Sequence, residues 1–197
     1  MEFLSFRVLA IGAHYDDVEL GCAGTLLKHV QAGDEVMIAV TSADEDATGL
    51  PCDRYAEQLC VMQKMGIEGL TRFNGLDPIS MCVQKLDSFG ANVVYAQYGL
   101  DTHQDHVRSS MIGNAVSRMK NIQLLQYNSG SAIDFLPTAF SPVDGEKKRQ
   151  LLLTYATQLE RRSIDLASLE GRQRYWGSLI GVMCAEAFVV RRMIWRY

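Results

Sequence analysis

Residues 8–21 read VLAIGAHYDDVELG, and this stretch decides the fold. An apolar run ends abruptly at His14, and two adjacent carboxylates, Asp16 and Asp17, follow it. The apolar run predicts a buried strand, and the residues from about Val18 onward predict a helix. The polar side chains therefore lie at the carboxyl end of a strand, where open α/β sheets bind their ligands.

Two interpretations of this polar cluster stay open on these residues alone. Histidine and aspartate are residue types that hold zinc while leaving one coordination position free for water. Alternatively, His14 and Asp16 only cap the helix that follows. The choice between the two depends on a second cluster farther along the chain.

Strand and helix patterns alternate along the chain. Apolar and β-branched runs predict strands at 7–12, 35–41, 70–73, 92–98 and 122–127. The segments between these strands have helical periodicity and predict helices, and the polar segment 42–52 predicts a loop. Gly21 and Gly24 let the first helix pack close to the sheet. The later segments predict a loop or short strand pair at 128–142, one helix at 145–161 and mixed structure at 172–192. This alternation predicts an α/β fold, a three-layer sandwich with a mostly parallel sheet.

Three of the four histidines lie in two polar clusters, each placed directly after a predicted strand. The second cluster reads LDTHQDH at 100–106 and contains His103 and His106. Because parallel strands bring their carboxyl ends to one edge, the clusters should meet although they are about 90 residues apart. Two imidazoles and one carboxylate, with water in the fourth position, make a catalytic rather than a closed structural zinc site. His29, with no acidic or histidine partner nearby, is predicted to be a surface or half-buried residue.

The composition is that of an ordinary globular protein, with 48% hydrophobic and 21% charged residues among 197. It predicts one domain spanning residues 1–197. The net charge of -4 and the lack of a concentrated basic face exclude a nucleic-acid binder. The apolar segment 179–197 carries four charged residues, too many for a membrane span.

The five cysteines are scattered, and none forms a Cys-x-x-Cys pair. Their odd number and spacing predict neither a disulfide framework nor a structural zinc site. This cysteine usage fits a reducing compartment, and it predicts a cytoplasmic protein.

Both polar clusters resemble signature motifs of a known family. HYDDVELG at 14–21 and HQDH at 103–106 are similar to the two motifs of the zinc-dependent N-acetylglucosaminyl deacetylases, the PIG-L or LmbE-like family. Arg54 and Glu57 resemble the family's Arg-x-x-Glu, and AEAF at 185–188 resembles its C-terminal Ala-Glu-x-Phe.

The resemblance implies a Rossmann-like fold and an enzyme that removes the acetyl group from an N-acetylated amino sugar or its conjugate. The implied ligands of one zinc ion per chain are His14, Asp17 and His106. Asp16 is then the general base that acts on the attacking water. His103 stabilises the oxyanion or protonates the leaving amine, and Asp105 orients it.

Some residues keep more than one interpretation. Tyr15 stands where the family usually has proline, and this alters the stiffness of the loop but removes no ligand. Asp101 stands where some thiol-sugar deacetylases carry a tyrosine that helps the oxyanion. Asp101 and Asp105 can also cap the next helix. Arg54 contacts a substrate hydroxyl or phosphate, or forms an ion pair with Glu57.

Two further function classes stay open, a zinc amidohydrolase of another N-acyl substrate and a catalytically silent binding or assembly domain. The presence of both Asp16 and His103 favours an enzyme. A nucleotide-binding domain is rejected, because the glycines do not form Gly-x-Gly-x-x-Gly and the loop is acidic. The expected partner is a small-molecule or glycoconjugate N-acetyl sugar. A homo-oligomer also stays open, in which a neighbouring subunit completes substrate recognition.

Overall fold

The chain folds around a seven-stranded sheet in this computed structural model, which describes residues 5–43, 53–118 and 122–194. The strands are β1 (Arg7–Gly12), β2 (Glu35–Val40), β3 (Gly69–Arg72), β4 (Val93–Gln97), β5 (Gln123–Tyr127), β6 (Ala139–Pro142) and β7 (Ala185–Arg192). Their order in the sheet is β3-β2-β1-β4-β5-β7-β6. The first five are parallel, and β7 runs antiparallel to both β5 and β6.

Helices cover both faces of this sheet. The described helices are α1 (Asp17–Gln31), α2 (Asp53–Met65), α3 (Ile79–Asp87), α4 (Gln104–Arg118), α5 (Gly145–Leu152), α6 (Ala156–Glu160) and α7 (Leu166–Leu179). One core contains side chains of α1, α2, α5 and α7, and the other contains those of α3 and α4. The predicted three-layer α/β sandwich is therefore confirmed. None of the described helices has the length and apolar character needed to cross a membrane.

The strand order reverses between β1 and β4. From β1 the chain moves to β2 and β3 on one side, and it returns to β4 on the other side. Val8–Ile11 of β1 align with Val93–Ala96 of β4, so the carboxyl ends of both strands lie side by side. A crevice of this kind is where open α/β sheets bind ligands.

The helix predicted at 145–161 is two helices, because the chain turns at residues 153–155. The Tyr155 side chain is fully buried there, and its hydroxyl donates to Gln58 Oε1 at 2.9 Å. Glu57 accepts hydrogen bonds from the Thr157 amide at 2.8 Å and from its hydroxyl at 2.7 Å. Glu57 therefore caps the first turn of α6 from a different helix. The mixed segment 172–192 is the end of α7 and strand β7, and most of the loop predicted at 42–52 lies outside the described residues.

Helix α1 is kinked at Cys22, whose φ of −146° and ψ of 16° are not helical. The amides of Gly24 and Thr25 leave the helical ladder and donate to the Glu186 carboxylate of β7, at 2.9 and 2.8 Å. On the other side of the kink, the Leu20 carbonyl accepts a hydrogen bond from Lys148 Nζ at 2.8 Å. The backbone groups that the kink releases are thus satisfied by a buried ion pair.

The predicted close packing of α1 through Gly21 and Gly24 is confirmed. A Cβ atom on Gly21 would lie 2.0 Å from Tyr127 Cδ2, and one on Gly24 would lie 2.6 Å from Val143 Cγ1. No side chain fits at either position without displacing these neighbours. The glycines therefore hold the start of α1 against the sheet.

Candidate metal centre

The loop after β1 is held in one conformation by its own backbone contacts. Gln97, at the end of β4, accepts a hydrogen bond from the Ala13 amide at 2.9 Å. The His14 amide donates to Asp17 Oδ2 at 2.8 Å. Asp16 has a φ of 101°, a conformation that costs a non-glycine residue roughly 1–3 kcal/mol and that clusters at functional sites.

Three predicted ligand side chains from β1–α1 and α4 converge. His14 Nδ1 lies 3.3 Å from Asp17 Oδ2, and His106 Nε2 lies 3.3 Å from Asp17 Oδ1. One donor atom from each residue lies within 4.8 Å of the others. A tetrahedral zinc ion bound at about 2.0–2.2 Å holds neighbouring donors about 3.3 Å apart. The donor types and their spacing therefore fit a zinc ion.

The ring of His106 is held in its orientation by contacts to its Nδ1 atom. Its Nδ1 lies 3.1 Å from Asp101 Oδ2 and 3.0 Å from Ser131 Oγ, and Ser131 donates to Asp101 Oδ1 at 2.6 Å. These contacts leave Nε2 facing Asp17, as in the carboxylate–histidine–zinc arrangement of metalloproteins. Asp101 Oδ1 also accepts from the His103 amide at 2.8 Å, so it caps the turn before α4 as well. Ser131 was missed in the sequence because its segment carries no periodic pattern.

The adjacent carboxylates Asp16 and Asp17 differ in electrostatics. Burial and the negative charge of Asp17 raise the pKa of Asp16 well above its ordinary value, against the opposing charge of Arg54. Burial raises the pKa of Asp17 too, but the hydrogen bond with His14 and the charge of His106 outweigh it and lower that pKa to about 2. Neighbouring carboxyl groups whose pKa values shift in opposite directions are typical of sites in which one group transfers protons and the other stays ionised.

His103 and Asp105 lie at the rim of the cluster. The His103 ring is half exposed and stacks on that of His106, with centroids 4.6 Å apart. Asp105 Oδ2 lies 3.2 Å from His14 Nε2 and 3.9 Å from His103 Nδ1. The Asp105 carboxylate is thus within reach of both rings and nearer to His14. The roles expected of His103 and Asp105 stay predictions.

Arg54 does not pair with Glu57, which instead caps α6. Arg54 Nη2 donates to the Tyr15 carbonyl at 3.0 Å and lies 3.6 Å from Asp16 Oδ2. The guanidinium therefore supports the loop that carries Asp16 and contributes to the wall of the cavity.

His29 lies outside this cluster. The prediction that it has no acidic partner is wrong, because its Nδ1 lies 2.6 Å from Asp34 Oδ2. Its Nε2 lies 2.9 Å from the Tyr95 hydroxyl. Both ring nitrogens are therefore occupied by contacts within the fold.

A cavity of about 460 Å³ opens over the three converging side chains. It is also lined by the loop at 129–131 and by residues 158–172 on α6, α7 and the segment between them. This volume is within the range of sites that bind small molecules.

Sequence and structure comparisons agree with this architecture. A family model described as PIG-L: GlcNAc-PI de-N-acetylase matches residues 9–119, more than half of the chain. The uncharacterized deacetylase YaiS of Escherichia coli (strain K12) is 27% identical over 154 residues, which are 71% of this chain and 83% of YaiS.

Solved structures share the fold. The conserved protein TT1542 from Thermus thermophilus matches with a TM-score of 0.79 at 23% identity, over 98% of this chain and 97% of that one. The N,N'-diacetylchitobiose deacetylase from Pyrococcus horikoshii matches with a TM-score of 0.76 at 19% identity, over 94% and 84% of the two chains.

Fold and site together define an α/β protein with a candidate metal centre at the switch point of its sheet. With the family match over both motifs, the chain belongs to the PIG-L family.

Proposed function

We propose that this protein is a zinc-dependent N-deacetylase, which hydrolyses the acetamide of an N-acetylated amino sugar or its conjugate to acetate and a free amine. The observation that carries the proposal is the convergence of His14, Asp17 and His106 beside Asp16 in one cavity. The deacetylases among its relatives support the same reaction class. An N-deacetylase of this kind needs one zinc ion per chain.

Zinc, when bound by these three side chains, would supply positive charge that acidifies a water molecule and polarises the acetyl carbonyl. The donor set carries one negative charge, from Asp17, because both histidines bind a metal as neutral imidazoles. The contacts of Asp101 and Ser131 with His106 Nδ1 keep His106 Nε2 directed at the candidate metal centre.

Asp16 is the group that we assign as general base. Its carboxylate is buried, lines the cavity and does not belong to the three donors. In the first step, water adds to the acetyl carbon while one of its protons passes to an Asp16 oxygen. In the second step the carbon–nitrogen bond breaks, and the leaving nitrogen takes the proton that Asp16 received, either directly or through His103. The acid formed then gives its own proton to the solvent, so that acetate and an amine are released and Asp16 is again a carboxylate.

His103 is the group that we assign to the oxyanion or to the leaving nitrogen. Its ring lies against those of His14 and His106 but is more exposed than either, so it faces the space that a substrate would occupy. A hydrogen-bond donor at this place stabilises charge that develops only in the transition state.

Metal analysis combined with acetate release tests the proposal. The purified protein should contain about one zinc per chain and release acetate from N-acetylglucosamine or its glycosides. His106→Ala should lose the metal and the activity, whereas the control His29→Ala should keep both. Acetate release only from non-sugar N-acyl amines would make the protein a different amidohydrolase, and no release from any N-acyl compound would overturn the proposal.

A further inference from the structure

Arg172 of α7 contributes a cation to the cavity wall without a partner. It is half-buried, and within residues 5–43, 53–118 and 122–194 no hydrogen bond or ion pair is made to its guanidinium. Its Nε atom in particular is buried and unsatisfied. A half-buried cation without a hydrogen-bond partner loses part of its hydration when the protein folds, so its presence in a cavity needs an explanation.

Two other cations of the described residues do have partners, although Arg54 Nε is also buried and unsatisfied. Lys148 Nζ lies 2.7 Å from Glu186 Oε1, and Arg54 Nη2 donates to the Tyr15 carbonyl at 3.0 Å. Arg172 differs from both, because within the described residues none of its guanidinium nitrogens has a hydrogen-bond or ion-pair partner.

The charge that acts on Arg172 is outweighed by the effect of its burial. The carboxylate that acts on it is that of Asp165, whose Oδ1 accepts hydrogen bonds from the amides of Ala167 and Ser168 at the start of α7. Burial lowers the pKa of Arg172 in spite of the Asp165 charge. Asp165 caps α7 and acts on the guanidinium only through its charge, with no hydrogen bond or ion pair between the two side chains.

The loop at 129–131 passes close to the guanidinium and presents a glycine to it. Gly130 has a φ of 152°, and a Cβ atom there would lie 3.9 Å from Arg172 Nη2. Because Gly130 has no side chain, nothing at this position covers the guanidinium group. The hydroxyl groups of Ser163 and Ser168 line the same cavity and offer further donors.

We propose that Arg172 is an anion subsite, which binds a phosphate or carboxylate group attached to the amino sugar. The planar guanidinium presents paired N–H donors that match two oxygens of such a group. Because Arg172 and the candidate metal centre line one cavity, a single molecule can place its acetamide at His14 and His106 and its anionic group at Arg172. The inference rests on the proposed function and names its substrate class as an anionic conjugate.

The first experiment measures anion binding without catalysis. Inorganic phosphate at about 20 mM should raise the Tm of the zinc-loaded protein by about 3–7 °C. Arg172→Gln should abolish this rise, and the control Arg174→Gln, an exposed arginine on the same helix, should keep it. An equal rise in Arg172→Gln and wild type would place the phosphate elsewhere and overturn the subsite, as would no rise in the wild type.

The same measurement separates a binding role from a structural one. Without phosphate, Arg172→Gln should have a Tm equal to or above that of the wild type, because a half-buried charge without a hydrogen-bond partner is removed. A lower Tm without phosphate, together with a retained phosphate response, would make Arg172 a structural residue.

The second experiment compares two substrates that differ in one anionic group. Wild type should hydrolyse N-acetylglucosamine 1-phosphate with a kcat/KM on the order of 10- to 100-fold above that for methyl N-acetylglucosaminide. In Arg172→Gln this ratio should fall to about one, because the anionic substrate loses a contact that the neutral glycoside does not make. Equal losses for both substrates would overturn the subsite. If neither substrate released acetate, the proposed function would fail, while the phosphate response would still decide the subsite.

Discussion

Asp16 and Asp17 are neighbours in the chain but point at different partners. Asp17 contacts the rings of His14 and His106, whereas Asp16 lies 3.6 Å from Arg54 and lines the cavity. Asp16 has a positive φ and is the last residue before α1 begins. The backbone therefore changes direction at Asp16, and the two carboxylates point to different sides. One carboxylate can therefore bind a metal while the other stays available for a proton.

Replacing Asp16 and Asp17 one at a time by asparagine should separate the loss of metal binding from the loss of turnover. Asp16→Asn should keep about one zinc per chain and lose about 10²–10⁴-fold in kcat, since general-base help is removed. Asp17→Asn should lose zinc, because it removes the anionic ligand. Zinc content by elemental analysis and acetate release check both, with Asp144→Asn, the cap of α5, as the control. Loss of zinc in Asp16→Asn with zinc retained in Asp17→Asn would reverse the assignments.

At the scale of single residues, the sequence allows us to predict that polar side chains placed directly after parallel strands lie close together. His14, Asp17 and His106 converge as expected, because adjacent parallel strands end at one edge. Ser131 and Arg172 could not be predicted, since the first lies in an irregular loop and the second in a segment without a clear period. Their places depend on contacts across the cavity, which no local pattern encodes.

The kink in α1 is the feature that distinguishes this helix from an ordinary amphipathic one. Glu186 is fully buried and accepts hydrogen bonds from two amides and one hydroxyl of α1, while Lys148 bonds both Glu186 and the Leu20 carbonyl. This network connects α1, α5 and β7. It therefore fixes the direction of the turn of α1 that presents Asp17.

Replacing the buried Lys148 should destabilise the fold much more than replacing the exposed Lys147 beside it. Lys148→Met leaves the Glu186 carboxylate without its counter-charge, and we expect a loss of about 3–5 kcal/mol in the free energy of unfolding. The control Lys147→Met breaks only an exposed pair with Asp144 and should cost about 0–1 kcal/mol. Urea unfolding of both variants measures the difference. Similar costs for the two would show that the network does not hold the kink.

At the scale of elements, most boundaries follow from periodicity, but the break between α5 and α6 does not. No glycine or proline marks residues 153–155, so the apolar pattern continues through the turn. The turn forms because the Tyr155 side chain is buried against Gln58 and because Glu57 caps the new helix. Both causes come from α2, far away in the sequence, and a local pattern cannot contain them.

The whole chain should behave as one domain, because both cores share the central strands. Zinc at about 1,000 times its Kd adds about 4 kcal/mol to the free energy of unfolding, which corresponds to roughly 8–16 °C in Tm for a chain of this size. Calorimetry should show a single transition that moves down by this amount with EDTA. His106→Ala should not respond to EDTA. Two separate transitions would contradict a single domain, and an EDTA-insensitive wild type would contradict the metal site.

At this scale the parallel part of the sheet was predictable, and the order β5-β7-β6 was not. Strands that alternate with helices predict a parallel sheet, and β1 to β5 are parallel. The antiparallel insertion of β7 joins segments separated by three helices, and its register depends on Glu186 meeting the kink of α1.

The insertion of β7 between β5 and β6 has a consequence for how the protein is made. A ribosome synthesises residues 14–106, with every proposed metal ligand, well before it reaches residues 185–192. Until then β6 has no neighbouring strand, and the amides released by the kink of α1 have no carboxylate to receive them. The nascent chain therefore carries all the proposed ligands before Glu186 can receive the kink of α1, and we expect tight metal binding only after β7 is in place.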